Sequence, residues 1–223
     1  MRARRQTAIV AIVVAIGMAG CSSKSATPSS STSPTPTPSG PFTGVVLTAA
    51  EASTSGPPVT EALAFNGQGL QDITLDLCGL QYPSDLKRVD RLQVDYMDVQ
   101  TKTKLIESNE IVRYNPGGAA QAYSELLAAK KKCPSTLKET NNDVLSHFVF
   151  HPAGQGFPTM TVFVTYDNAQ SRGSPIGAAA IYMFDGNYLD GLYVYRMNTT
   201  DALNDGTNLG RIAAGKLRAL AAG

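Results

Sequence analysis

The stretch Gly177–Met197, GAAAIYMFDGNYLDGLYVYRM, decides the fold. Two runs rich in aromatic and branched residues flank Asp185-Gly186-Asn187, and a short Asp-Gly-Asn interruption between such runs is a strong hairpin turn signal. The runs Gly177–Phe184 and Tyr188–Met197 are therefore predicted to pair antiparallel. Upstream, Val144–His151 (VLSHFVFH) and Thr159–Tyr166 (TMTVFVTY) have the same character and are separated by Gly, Pro, Asn and Asp, so the hairpin extends into a meander. Further upstream, Arg91–Gln100 places Leu92, Val94 and Tyr96 on one side of a strand, and Lys104–Tyr114 repeats a mixed alternation after a Thr-Lys-Thr-Lys connection.

Between the strand pair and the meander, Asn115-Pro116-Gly117-Gly118 breaks the chain and opens a helix through AAQAYSELLAAKKKC. Ala119, Tyr123, Leu126 and Leu127 are its predicted apolar stripe. Lys130, Lys131 and Lys132 fall in its last turn, where cations face the negative end of the helix dipole, and Pro134 stops it. A final helix is expected over Asp205–Leu220, with Leu209, Ile212, Ala213, Lys216 and Leu220 at helical spacing. Phe42–Asp90 suggests only a short helix followed by irregular structure. The order predicts an α+β domain, a mainly antiparallel sheet with helices packed on it.

The N-terminus has a different character. Arg2, Arg4 and Arg5 precede an apolar run, Thr7–Met18, that ends in Ala19-Gly20-Cys21. The run is shorter than the roughly 20 residues of a spanning helix and reads as a secretory signal. Its end resembles the bacterial lipobox, which implies cleavage before Cys21 and a diacylglyceryl, palmitate-bearing cysteine as the first residue of the mature chain. Two acyl chains meet the requirement for stable anchoring. Residues 22–40, SSKSATPSSSTSPTPTPSG, are Ser, Thr or Pro at sixteen of nineteen positions, the composition of a disordered, extended tether. Three parts are therefore expected: a signal peptide over 1–20, the acylated cysteine and tether over 21–41, and one folded domain over 42–223.

Setting Cys21 aside leaves Cys78 and Cys133, an even number in an exported, oxidising setting, with one possible connectivity. A disulfide between them is predicted, and closing a loop of that length is worth on the order of 4 kcal/mol before native strain. Two isolated cysteines lack the paired spacing of a zinc knuckle.

The 223 residues carry 19 basic and 18 acidic side chains, a net charge of +1. Four of the basic residues lie ahead of residue 41, which leaves the folded part with 15 basic and 18 acidic residues, a net −3. No clustered basic surface marks a nucleic-acid binder. There is no Trp, and only two His. The sequence holds no G-x-S-x-G elbow, no Walker loop and no H-E-x-x-H. His147 and His151 are four apart on a strand, about 13 Å, too far to share one metal ion. Gly67-Gln68-Gly69 and Gly154-Gln155-Gly156 read as turns. Asp72 with Asp76, and Asp95 with Asp98, read as solvated positions. No catalytic residue, cofactor or metal site is predicted.

One aromatic group stands out. Tyr182, Phe184, Tyr193 and Tyr195, joined by Tyr166, lie on adjacent strands of the meander. The commoner arrangement for such a group is a core covered by the terminal helix, with hydroxyls reaching its rim. The alternative is a phenolic surface lining a cleft for a lipid or cell-wall fragment, and these five are the candidate ligand-binding residues.

The early Cys78-Gly79, the two strands, the segment RYNPGGAAQAYSELLAAKKKC, the meander and the closing helix together resemble the PknH-type extracellular sensor domain, over about residues 42–221. That family occurs on actinobacterial receptor kinases and on free-standing lipoproteins with Ser/Thr/Pro-rich tethers. This chain has one cysteine pair where the kinase-linked members have two, and it lacks their tryptophan, so no ligand site is carried across. The resemblance implies a non-catalytic sensing or binding module with an antiparallel sheet and a cleft.

The expectation is an extracytoplasmic lipoprotein held on the cell membrane by its diacylglyceryl cysteine, a non-enzymatic ligand-sensing or protein-interaction module with an envelope ligand or protein as partner. The alternative is a carrier of a hydrophobic ligand across the envelope, which needs a closed apolar cavity of several hundred cubic ångströms. A secreted hydrolase comes third, with no nucleophile-base pair to argue for it.

Overall fold

The computed structural model describes residues 37–64, 67–134, 136–139, 144–152, 157–169 and 176–223. The signal, Cys21 and nearly all of the tether lie outside the described residues, as does Gly154-Gln155-Gly156. Eight strands, β1 (Val59–Leu63), β2 (Arg88–Asp98), β3 (Leu105–Tyr114), β4 (Thr136–Glu139), β5 (Val144–His151), β6 (Met160–Ala169), β7 (Ile176–Asp185) and β8 (Tyr188–Arg196), form one sheet in the order β1-β2-β3-β8-β7-β6-β5-β4. Every neighbouring pair is antiparallel. The helices are α1 (Ala49–Ala52), α2 (Gly118–Lys132) and α3 (Thr199–Ala222). The α+β class is as expected, and among the described residues no helix is long and apolar enough to cross a membrane.

The hairpin forms where the turn signal lies. Asp185 pairs with Tyr188, and Gly186 sits at φ +56°, a left-handed conformation that glycine adopts without a Cβ clash. The β2–β3 hairpin closes through Asp98, whose Oδ1 accepts from the amides of Gln100 and Thr101 at 3.0 and 2.8 Å.

Period-two alternation sends the strands' side chains to two different layers. On one face, Leu92, Val94 and Tyr96 of β2, Ile111 of β3, Phe163 of β6, Ile181 and Met183 of β7, and Leu192 and Val194 of β8 pack under α3 and the segment Phe42–Ala52. On the other, Val112, Tyr114, Val164, Tyr182, Phe184 and Leu189 pack under α2 and Leu75–Tyr82. The chain reaches this second layer because α2 connects β3, inside the sheet, to β4 at its far edge.

α3 begins at Thr199, six residues before the expected start, because Asn198 caps it by accepting from the Asp201 amide at 2.8 Å. Its Ala202, Gly206, Gly210, Ala213 and Ala214 are buried, so small residues let the helix lie close on the sheet. Gly177 of β7 permits the approach of its first turn: a Cβ there would stand 2.0 Å from the Asn198 carbonyl carbon. The segment leading into α1 is tied down by polar contacts. The Leu47 amide donates to Asn109 Oδ1 at 2.8 Å, the Tyr96 hydroxyl donates to the Leu47 carbonyl, and Lys216 Nζ of α3 reaches the Val46 carbonyl at 2.8 Å and Glu51 at 2.6 Å.

α2 buries Ala119, Ala122, Leu126 and Ala129. Tyr123 packs edge-on against Phe184, 5.5 Å between ring centroids. Leu127 departs from the expected stripe: it is 41% exposed, because the buried strip is completed by alanines that fit a close helix-to-sheet approach. The lysine triplet occupies the last turn as expected. Cys133 follows α2 and is bonded to Cys78, Cα–Cα 5.6 Å, so the helix is pinned to the short 3₁₀ turn Leu77–Gly79. Phe42–Asp90 is more regular than expected, holding α1, β1, the start of β2 and a second 3₁₀ turn over Pro83–Lys87.

Candidate functional site

α2 covers only part of its side of the sheet. Where its cover ends, β2, β3 and β8 leave a concave strip, and the segment Gln71–Asp76 stands as a wall beside it. The resulting cleft has a volume of about 510 Å³ and is lined by Gln93 and Asp95 of β2, Leu105, Ser108 and Glu110 of β3, Tyr193 and Tyr195 of β8, and Gln71, Asp72, Ile73, Thr74 and Asp76 of the wall.

Two arginines hold the wall to the sheet. Arg88 donates from Nη1 to the Asp72 carbonyl and to Thr74 Oγ1, both at 2.6 Å, and from Nη2 to the Leu70 carbonyl at 2.7 Å. Arg91 is 1% exposed and lies beneath the cleft. Its Nε pairs with Glu110, its Nη2 bonds Gln93 Oε1, and its Nη1 reaches the Gly69 carbonyl at 2.9 Å and Asp72 Oδ2 at 3.5 Å. Thr74 also donates to Glu110 Oε1 at 2.7 Å. Gln93 Nε2 donates to Ser108 Oγ at 2.9 Å, and the Tyr193 hydroxyl stands 3.2 Å from the Thr74 carbonyl. A buried guanidinium with several acceptors is well satisfied, whereas the same charge unpaired would be strongly destabilising.

The environment sets the protonation of the lining groups. Burial raises the Glu110 carboxyl, opposed by Arg91, Thr74 and Arg88. Burial likewise raises Asp95, opposed by a hydrogen bond from Ser108 and by the Arg91 charge. Asp95 Oδ1 is itself buried without a hydrogen-bond partner. The phenols of Tyr182 and Tyr195 are pushed up by burial and then by the nearby Asp76 charge, and that of Tyr193 by burial, then Tyr182, then Asp76, so all three stay neutral.

The five aromatic residues singled out in the sequence divide. Tyr193 and Tyr195 line the cleft. Tyr182 lies fully buried behind Tyr193, hydroxyls 3.3 Å apart and rings edge-on at 5.8 Å. Phe184 is core beneath α2, and Tyr166 stands against Phe148 at 5.5 Å with its phenol hydrogen-bonded to Tyr195. The helix on this side of the sheet is α2, covering Tyr182 and Phe184 but not the cleft residues, since the terminal helix occupies the opposite side. Three carboxylates read as solvated, Asp72, Asp76 and Asp95, line the cleft instead, while Asp98 caps the β2–β3 turn. Arg88, Arg91 and Glu110 carried no sequence signal beyond being charged residues in strands. The histidines have separate partners: His147 Nδ1 is 2.9 Å from Asp167 Oδ1, and His151 Nε2 is 2.8 Å from Thr165 Oγ1.

No family model matches the chain, and no curated protein matches it. Among solved structures it is similar to the extracellular domain of PknH from Mycobacterium tuberculosis, with a TM-score of 0.47 and 11% sequence identity over 77% of this chain and 93% of that one. A likeness at this level assigns neither a family nor a site.

Proposed function

We propose that the chain is an extracytoplasmic lipoprotein, held on the outer side of the cell membrane by a diacylglyceryl group on Cys21, whose folded domain is a non-catalytic ligand-sensing or interaction module. The basic, apolar and small-residue order of Arg2–Cys21 and the Ser/Thr/Pro tract behind it support the anchoring. The observation that carries the binding role is the cleft of about 510 Å³ floored by Tyr193 and Tyr195.

The lining favours binding over chemistry. Among the described residues it contains no His, Cys or Lys, the serine there is engaged by Gln93, and Glu110 is held by Arg91 and Thr74. An acyl cargo is disfavoured too, because four carboxylates border the cleft and an apolar chain would have to desolvate them.

Fractionation tests the anchor: the Cys21→Ser chain is expected in the soluble extracytoplasmic fraction, and its retention in the membrane would refute lipid anchoring at that residue. Native mass spectrometry of the full chain, released in detergent from its own envelope, tests the cleft. The expected result is a small polar molecule bound to the wild type and lost from Tyr195→Ala. An acyl lipid retained by both would turn the reading toward a carrier.

A further inference from the structure

We infer that the cleft takes an organic cation, a ligand bearing amino or guanidinium groups. The inference rests on the cleft being a binding site and adds the chemical class of its occupant. Three observations lead to it.

The first is the distribution of charge. Asp72, Asp76, Asp95 and Glu110 line the cleft, and no Lys or Arg is among its described lining residues. The Arg91 guanidinium lies beneath them, its Nε on Glu110 and its Nη1 3.5 Å from Asp72. Arg88 is likewise turned onto Thr74 and the wall carbonyls, so the described lining offers acceptor oxygens and no cationic donor, and an anionic ligand would meet acceptors in a partly desolvated space.

The second is the aromatic floor. Tyr193 and Tyr195 are each partly exposed and line the same space. Neutral phenol rings beside carboxylates are the combination that recognises ammonium and guanidinium groups, the ring face and the carboxylate drawing on the same positive charge. Asp95, its carboxylate hydrogen-bonded by Ser108, lines the same space beside the two rings.

The third is size. A volume of about 510 Å³ is far more than a bare ion fills, and among the described residues no three His, Cys, Asp or Glu side chains are grouped to hold a metal. No three of the described carboxylates converge on one point, which suits an organic cation better than a metal ion.

Three dipeptides of comparable length supply the test: lysyl-lysine, alanyl-alanine and glutamyl-glutamate, each titrated into the full chain in detergent at low salt. The readout is the ring resonances of ¹³C-labelled tyrosine, assigned with Tyr193→Phe and Tyr195→Phe. Lysyl-lysine is expected to shift the Tyr193 and Tyr195 signals saturably, with binding weakened about tenfold in Asp95→Asn and weakened again as salt screens the charges. Asp72→Asn, on the wall, serves as the second variant should Asp95→Asn melt early. If the neutral or acidic dipeptide shifts the same rings as strongly, the cation class is overturned while the cleft stands. If none of the three shifts them, the cation class is overturned, and the native mass spectrum then decides the cleft.

Discussion

The two sides of the sheet are closed by different means. Under α3, the covering layer is complete: Phe42–Ala52 and the helix together bury Leu92, Val94, Ile111, Ile181, Leu192 and Val194, and apolar packing is the principal source of cohesion. Under α2, the cover stops partway, and beyond it the order of the wall depends on a buried ion pair and a web of arginine hydrogen bonds. The closed side is mainly apolar, with the buried Arg196–Glu107 pair and the Asn109–Asp190 hydrogen bond as its polar insertions. The open side keeps a cavity because most of its buried polar groups are satisfied by one another rather than by a lid, and that arrangement positions charged groups where a ligand can reach them.

The sharpest way to break this contrast is Arg91→Ala. It leaves Glu110, 2% exposed, without its cation, and a loss of about 3–5 kcal/mol is expected in urea unfolding. Replacing both partners, Arg91→Met with Glu110→Leu, is expected to recover much of that loss while leaving the net charge around the cleft unchanged, since one charge of each sign is removed. On the closed side, Leu192→Ala is expected to cost about 2–5 kcal/mol by opening a cavity, with the Tyr193 and Tyr195 resonances left in place. Reducing the Cys78–Cys133 bond is expected to cost about 2–4 kcal/mol, read as a lower melting temperature in reductant.

A pH titration separates the sides further. Asp190, wholly buried on the α3 side, is pushed up to about 8 by burial, partly opposed by its hydrogen bond from Asn109. The native state then keeps a proton that the unfolded chain gives up near its ordinary carboxylate value. Stability from this group is full below that value and is lost as pH rises toward about 8, the reverse of an ion-paired carboxylate. Urea midpoints measured from pH 5 to 8 are expected to fall in the wild type and to fall less steeply in Asp190→Asn, the remaining slope coming from Glu107, which burial pushes up to about 7. The smallest effect belongs to Ile73→Ala: the side chain is 69% exposed on the cleft wall, and a change within about 0.5 kcal/mol is expected in the same assay.

The meander and its hairpin were legible because β5 to β8 are long runs of aromatic and branched residues punctuated by a glycine turn. β1 and β4 were not. VTEAL and TLKE are five and four residues long, too short to establish a period, and each becomes a strand by pairing with a longer neighbour. The helical stripe of α2 was read through its largest side chains, which favoured Leu127. The contact selects small ones, Ala122 and Ala129, because the helix sits close to the strands. The cleft was legible only in Tyr193 and Tyr195. Its wall, Gln71–Asp76, has no hydrophobic periodicity, and its position is set by Arg88 and Arg91 reaching across from β2. In one dimension those arginines are strand charges, and Asp72, Asp76 and Asp95 look like solvent-facing ones.

The ties on Val46, Leu47 and Glu51 have a mechanical consequence. Tension applied ahead of Phe42 would not peel the chain off residue by residue. It would meet the Leu47 amide on Asn109, the Tyr96 hydroxyl on the Leu47 carbonyl, and Lys216 gripping Val46 and Glu51 together. Because Asn109 belongs to β3 and Lys216 to α3, the pull is shared between the middle of the sheet and its last helix, which makes the entry point of the domain a clamp rather than a loose end.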